Sequence, residues 1–434
     1  MRTAFIVAAL GLVGTAPAAH AAGHFSVPAP AKGSPKVLSS GNSGASLLVW
    51  ATNDIYEGFG PLTVDTIRGG RDRRRTRMTI RDAELADSAR DRAGHLDLLV
   101  ARKPRRASSQ PVLALYRALQ GGRVRRVWSG GLGRVAAVAR RDSAVAVAWV
   151  EQTGTRSLIK LATSRDGLHF TRTRIVSGVL PRFPHTGPVS SVNDLDVSLD
   201  AHHRPVLGVT ISRRVNPVLV LAALTRHGKV RARQVSDDVD GLIHLETTAR
   251  GRVAVAVDDT GIEGERGECV GDPNGRRLFA ATRERTSARF HVVQRLDAHP
   301  LDCGSGGAQL ETIGERVAVL WTRPGETRTI EGALAEPGRP FAAPTALASG
   351  AVLRAATDWR GQLAFASIIP GADVYAGPLA LQIVNASGVN PREPIATNST
   401  GLVLLDRDPH DIDMLAAWQD AGSREVQLKY FGGQ

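Results

Sequence analysis

Lysine is scarce in this 434-residue chain: only six of its 55 basic residues are lysine, and the other 49 are arginine. Alanine and glycine abound beside them, so the bias reads first as the base composition of a GC-rich bacterial genome and only then as function. Aromatic residues make up 5%, and no stacking motif accompanies the arginine clusters, which argues against nucleic acid as the partner. Beyond the amino terminus no segment approaches the roughly 18 uninterrupted apolar residues of a membrane-spanning helix. Also missing are a Gly-x-Ser-x-Gly elbow, a His-Glu-x-x-His pair and a phosphate-cradling Gly-x4-Gly-Lys-Ser/Thr loop, which sets aside the chemistries those motifs carry. With two cysteines, Cys269 and Cys303, the chain is no disulfide-dense scaffold. An even count in an exported chain favours one bridge between them, worth about 3 to 4 kcal/mol in the loop-entropy account.

What is present begins with Met1-Arg2, an apolar run from Ala4 to Val13, and Ala19-His20-Ala21. That order of charged, apolar and small residues predicts a secretory signal over 1–21, cleaved after Ala21, and a soluble, secreted or otherwise extracytoplasmic mature chain. Residues 22–44, rich in Gly, Ser, Pro and Ala, read as a flexible lead-in, with a short strand at Val37-Leu38-Ser39.

From residue 45 to 434 one pattern recurs. Short apolar runs end at Trp50, Val100, Trp149, Val209, Val257, Trp321, Phe365 and Trp418, about 53 residues apart on average. A period near 50 with turn residues between short strands predicts a propeller or stacked array. Continuous rather than alternating apolar strands are expected where both faces of a sheet are covered. The fourth unit shows the plan: strands at 194–199, 205–211, 217–225 and 230–235, a four-stranded meander. The sixth repeats it at 309–313, 316–321, 328–335 and 345–347. The expectation is a single all-β propeller of four-stranded blades, eight of them, or seven if the weak second unit is not a full blade. The last unit offers only three strands, and Val37–Ser39 is the expected closing strand.

In the third unit, Ser164-Arg165-Asp166-Gly167-Leu168-His169-Phe170 fits a Ser-x-Asp-Gly-x-x-aromatic box. The serine and aspartate oxygens can accept turn amides, the glycine can take a backbone angle that other residues resist, and the aromatic ring plugs into the core. In this box and its position between third and fourth strands, the chain resembles the sialidase-like Asp-box β-propellers. Ser164, Asp166, Gly167 and Phe170 are then blade-locking residues. The equivalent turns at Arg226-His227-Gly228, Glu284-Arg285-Thr286 and Glu336-Pro337-Gly338 have lost the serine or the aspartate. Sialidase activity, as the resemblance implies it, would need three arginines on a carboxylate, a tyrosine–glutamate pair and an aspartate acid. The early Phe-Arg-Ile-Pro-like motif of such enzymes is absent, and they have six blades.

Charge is unevenly placed. Residues 68–141 hold 20 basic and six acidic residues, a net of +14 against +13 for the whole chain. Such a sector would attract an anionic glycan or other cell-envelope polymer outside the cell, although solvated loops of an arginine-rich proteome are the plainer reading. By strand counting, clusters 71–77 and 123–126 follow third strands and 102–106 a second strand, on opposite ring faces. A ligand site, if built on loops between second and third strands and between blades, would gather Asp54, Tyr56, Arg105, Arg182, His185, Arg213, Arg214, Asp259, Asp302 and Tyr375. The acidic insertion 258–275 offers oxygens to Ca²⁺ but matches no Ca²⁺-loop spacing, and no histidine has metal-ligand spacing. No catalytic residue, cofactor or metal is therefore expected. The sequence reads as an exported, monomeric, non-catalytic binding or scaffold propeller that meets an anionic polymer or a protein partner. A glycoside hydrolase or lyase on the same scaffold is the alternative, and it requires an acid pair near the axis.

Overall fold

A computed structural model describes residues 24–30, 34–40, 45–51, 59–68, 75–90, 94–104, 106, 110–119, 122–133, 135–153, 156–171, 173–176, 191–212, 218–225, 227, 229–237, 241–259, 277–284, 293–297, 308–323, 328–357, 363–368, 377–385, 388–389, 393–407 and 414–431. Strand β1 (His24–Pro28) is taken up by the last sheet of the chain. A seven-stranded antiparallel sheet follows: β2 (Ser34–Ser40), β3 (Ala45–Ala51), β4 (Gly60–Arg68), β5 (Arg75–Arg90), β6 (Leu96–Arg102), β7 (Val112–Leu119) and β8 (Arg123–Leu132). Next come four four-stranded meanders. They are β9 (Ala136–Arg141), β10 (Ala144–Thr153), β11 (Arg156–Ser164) and β12 (Arg174–Ile175); β13 (Ser191–Leu199), β14 (Pro205–Ser212), β15 (Val218–Leu224) and β16 (Val230–Asp237); β17 (Leu242–Thr247), β18 (Val253–Asp259), β19 (Arg277–Arg283) and β20 (Gln294–Arg295); and β21 (Gln309–Ile313), β22 (Arg316–Arg323), β23 (Thr329–Ala335) and β24 (Thr345–Ser349). The final sheet joins β25 (Ala351–Thr357), β26 (Leu363–Ile368), β27 (Gly377–Asn385), β28 (Gly388–Val389), β29 (Glu393–Arg407), β30 (Met414–Asp420) and β31 (Glu425–Phe431), with β1 at its edge. The fold is all-β, and the meanders stand side by side as in a propeller.

The third unit shows why these residues form second strands. All seven residues from Ala144 to Val150 on β10 are buried. Side chains of a strand alternate between faces, so Val145, Val147 and Trp149 pack towards Leu99 and Leu115, while Ala146, Ala148 and Val150 pack towards Leu207 and Val209. The hydrophobic core therefore lies between adjacent sheets, and a run apolar at every position fits only a strand covered on both faces. Trp50, Trp149, Trp321 and Trp418 are buried at matching places near the ends of β3, β10, β22 and β30.

Two strands serve two partners in succession. β5 pairs with β4 from Arg75 to Ala83, with an irregularity after Ile80, and with β6 from Ala83 to Arg90. In that irregularity Asp82 sits at φ 52°, a left-handed conformation that aspartate tolerates better than most residues, and its carbonyl accepts from Lys103 N at 2.9 Å. β29 likewise pairs with β27 up to Ser399 and with β30 from Ser399 to Arg407.

Closure differs from the sequence expectation. Val37, Leu38 and Ser39 belong to β2, which pairs with β3 and opens the first sheet. The strand that completes the last sheet is β1, with Val27 opposite Val426 and Ala29 N bonded to Arg424 O at 3.0 Å. Both strands fall in the stretch expected as a flexible lead-in. Its Pro and Ser content hides them, because Pro28 and Pro35 stand at or near strand ends, where a missing N–H is tolerated. The arginine clusters also move: Arg75 and Arg77 lie in β5, and Arg123, Arg125 and Arg126 lie in β8, as strand residues and not loops.

Deleting residues 1–28 tests the closure. The β31 edge and the side chains of Val426 and Leu428, now buried against Val27, would be opened, at a cost on the order of 3 kcal/mol or more. Thermal unfolding should drop by several degrees, and light scattering should show concentration-dependent association through the open edge.

Candidate functional site: the axial channel

The opening strands of successive units touch in series: β5 with β9, β9 with β13, β13 with β17, β17 with β21, β21 with β25, β25 with β29, and β29 with β2. β2, β9, β13, β17, β21 and β25 are end strands of their sheets, and the second segments of β5 and β29 pair chiefly on one side, so one edge carries main-chain N–H groups without a ladder partner. Aspartates from the preceding strand meet several of them. Asp87 on β5 accepts from Val138 N at 2.7 Å, Asp194 on β13 from Ile243 N at 2.8 Å, and Asp196 from Leu245 N at 2.8 Å. Donor and acceptor are 51, 49 and 49 residues apart, close to one repeat. The second oxygens of Asp87 and Asp196 accept from the following residues, Ser88 N at 2.7 Å and Val197 N at 2.6 Å.

β5, β9, β13 and β17 line an open cavity of about 360 Å³, with Asp87, Ser88, Asp196, Glu246, Thr247 and Arg141 among its walls. At one end Arg141 donates to three carbonyls, Leu199 O and Thr248 O at 3.0 Å and Ala249 O at 2.9 Å, and so bridges β9 to the turns after β13 and β17. Asp142, at φ 52° in the adjoining turn, meets His203 Nε2 at 3.1 Å. Burial shapes the acid–base properties of the walls. Burial pushes Asp87 up to about 6, with the Asp194 charge acting in the same direction. Asp194 is raised by burial, and Asp196 is raised well above the usual range by burial and by Asp87 and Glu246. Burial and the neighbouring Glu311 push Glu246 up to about 8. On the basic side, burial and the Arg354 guanidinium hold His244 down to about 4. A carboxyl neutral at physiological pH can donate as well as accept a hydrogen bond.

The Asp-box is a second constellation, on the turn between β11 and β12. Asp166 Oδ1 accepts from Ser164 Oγ at 2.9 Å and from Leu168 N and His169 N at 2.8 Å, and Oδ2 lies 2.6 Å from His169 Nδ1. The hydrogen bond from His169, with those from the turn amides and Ser164, holds the Asp166 carboxyl well below the usual range. The serine differs from expectation in donating to the aspartate and not accepting an amide. Gly167 takes φ 70°, and a side chain there would run into the Arg117 guanidinium. Phe170 packs beside Trp128, ring centroids 5.9 Å apart, and Trp128 beside Trp149 at 5.4 Å.

Arg117 ties this turn to the preceding sheet. Its Nε donates to Asp97 Oδ1 at 2.7 Å, and its Nη2 donates to Asp97 Oδ2 and to Gly167 O, both at 3.1 Å. Arg140 meets the same carboxylate, and Asp97 is wholly buried. The degenerate turn after β23 keeps the geometry without the motif. Ala335 bridges to Phe341 as Ser164 does to Phe170, and Gly338 sits at φ 76°. Arg252 takes the part of Arg117 by donating to Ala335 O and Arg339 O at 2.8 Å.

Of the sequence-expected ligand residues, only Asp259 falls among the described ones. Asp54, Tyr56, Arg105, Arg182, His185, Arg213, Arg214, Asp302, Tyr375, Cys269 and Cys303 lie outside them. Asp259 ends β18, its main chain opposite Arg277. Among the described residues no group of three or more His, Cys, Asp or Glu is arranged to hold a metal ion, and no helix is long and apolar enough to cross a membrane. What the sequence reading misses is the channel wall. Its signal is there as polar residues at alternate positions in the first strand of a unit: Asp194-Leu195-Asp196, His244-Leu245-Glu246 and Gln309-Leu310-Glu311.

Two substitutions test this description. Arg117→Met strips Asp97 of its two-pronged partner and Gly167 O of its donor, and should destabilise the fold by about 3 kcal/mol in chemical denaturation. Glu246 is ordinarily ionised above 4.5, and in the fold is raised to about 8. Native protein therefore holds a proton that the unfolded chain has lost, and stability is complete below 4.5 and falls as pH rises through 8. Glu246→Gln should leave the melting temperature unchanged near pH 4.5 and raise it at pH 8.5, by about 1 to 3 kcal/mol in stability. A parallel pH profile for both proteins would contradict the enclosed, neutral carboxyl.

No protein-family model matches the chain, and no curated protein matches it either. Among solved structures it is similar to the Dos1 propeller, at 8% identity and a TM-score of 0.51, over 94% of each chain. It is also similar to the β-propeller domain of the trilobed protease from Pyrococcus furiosus, at 10% identity and a TM-score of 0.43, over 93% of this chain and 94% of that one. The polysaccharide lyase Uly1 is similar at 8% identity and a TM-score of 0.43, over 78% and 88%. At such identities the likeness concerns architecture alone: the chain has the fold of the all-β propellers.

Proposed function

We propose that the protein is an exported, eight-bladed binding propeller that acts without catalysis. The blade count takes β5 and β29 each as the outer strand of one blade and the inner strand of the next. The single observation behind the binding reading is how the channel carboxyls are engaged. Asp87 and Asp196 each have both oxygens on main-chain N–H groups, so they act as clasps between inner strands, which supports a structural role for them over a catalytic one. In this reading the chain is an extracytoplasmic monomer, released by cleavage after Ala21 and braced by a Cys269–Cys303 disulfide. Its ligand is an anionic polymer of the cell envelope or a protein partner.

One observation favours a second reading, hydrolysis or elimination on a polysaccharide. Asp87, Asp196 and Glu246 line the same cavity, and a carboxyl that stays protonated up to about 8 is suited to act as a general acid. Both readings meet in one experiment, in which the protein is incubated with neutral, carboxylated and sulfated polysaccharides while binding and product are followed together. Retention of polymer with no new reducing ends and no unsaturated uronic product is the expected result. Product formed by the wild type and lost in both Glu246→Gln and Asp87→Asn would replace the binding reading with the enzymatic one.

A further inference from the structure

Several arginines of the basic sector are tied into the core. Arg77 is paired with the buried Asp65, Arg90 with Asp406, and Arg117 and Arg140 with Asp97. Arg123, Arg125 and Arg126 on β8 are exposed, and the ionic partners that tie the others into the core are not found for them among the described residues. β8 is the last strand in its sheet, with β7 on one side only, so its other edge faces outward. Arg123 and Arg125 lie opposite Leu119 and Arg117, and Arg126 opposite Tyr116. By strand alternation the first two project from one face of the edge and the third from the other. The register shifts between Leu115 and Tyr116, so that Trp128, and not Val127, faces Leu115. This places the half-buried Trp128, held against Trp149 and Phe170, next along the strand. The segment 122–132 contains no carboxylate. The neighbouring acids, Asp97 and Asp166, are already engaged by Arg117 and by the Asp-box turn.

We propose that this strip, Arg123, Arg125 and Arg126 followed by Trp128 on the open edge of β8, is a docking site for a linear anionic polysaccharide. The inference rests on the binding reading above and names its surface and ligand class. Arg123 and Arg125 share the face that Trp128 takes after the register shift, and Arg126 reaches from the other face of the same edge. Their backbone positions span about 10 Å, so a polymer lying along the edge, with charges that repeat from sugar to sugar, can meet all three, each arginine gripping a carboxylate or sulfate in a two-pronged fashion. The indole supplies the amphipathic ring against which an apolar sugar face can rest. A protein strand is the other occupant such an edge could take, and there the arginines would act only to repel it.

The test measures binding of the whole protein to heparin and to polyglucuronate over a salt series, with dextran as the uncharged control. Arg123→Gln/Arg125→Gln/Arg126→Gln should lose most of the affinity and lower the slope of log K against log salt by about three, one for each lost contact. The matching triple lysine variant should keep the slope but bind more weakly. Arg231→Gln/Arg233→Gln, on the exposed edge of β16, should change neither, and equal melting temperatures would confirm that all variants fold. If the triple glutamine variant binds as the wild type does and only associates with itself, the strip is an edge guard and the site is overturned while polysaccharide binding stands. If the wild type binds no charged polysaccharide, the anionic-polymer form of the binding reading fails and the site with it.

Discussion

The fold depends on one constraint: the inner strand of each unit has a main-chain edge with no ladder partner, and that edge cannot be left bare. Backbone donors on the bare edge of an inner strand need acceptors from outside their own sheet. Asp87, Asp194 and Asp196 meet the need by reaching from one inner strand to the amides of the next. The same carboxyls are buried and brought close together by doing so, and burial, with their mutual repulsion added, pushes them towards their neutral forms. Structural service and unusual acidity thus have one cause. A raised carboxyl in a channel is therefore weaker support for catalysis here than it would be in a pocket where its oxygens were free.

Away from the axis the units are held by buried arginines. Arg117 and Arg252 each carry a charge into the interior, and each finds carbonyl acceptors on a turn of the following unit. Arginine suits this position because its fork can serve a carboxylate and a carbonyl at once. The Asp-box is one end of such a latch. Its aspartate shapes the turn from within while its glycine presents the carbonyl outward. The turn after β23 keeps that outward geometry with Gly338 and Phe341 although serine and aspartate are gone. The contact between units therefore outlasts the sequence motif.

Much of this architecture is legible in the amino-acid sequence. Runs such as Val145 to Trp149 and Val317 to Trp321 announce strands covered on both faces, and their spacing announces repetition. In the fourth and sixth units the expected strands lie within about two or three residues of those found. Closure is harder to read because β1 and β2 bear prolines and lie in a stretch rich in Gly, Ser and Ala, so that composition outweighs pattern. The clasps escape notice because a carboxylate bonded to an amide 49 residues away leaves no local trace, although its alternation with leucine does. Arg123 to Arg126 resemble loop residues because a charged strand at a sheet edge reads, residue by residue, like a turn.

The 16-residue β5 and the 15-residue β29 have a mechanical consequence. Each carries the chain from one unit to the next without a connecting loop, and they flank the place where β1 meets β31. The ring is thus joined by mere pairing at its seam and by uninterrupted backbone on both sides of it. A pull on the two chain ends would load the β1–β31 ladder first, but a breach there would meet double-width sheets in both directions and would have to break a continuous strand's pairing to spread. The seam can let go without unravelling the molecule, as a clasp opens without cutting the band.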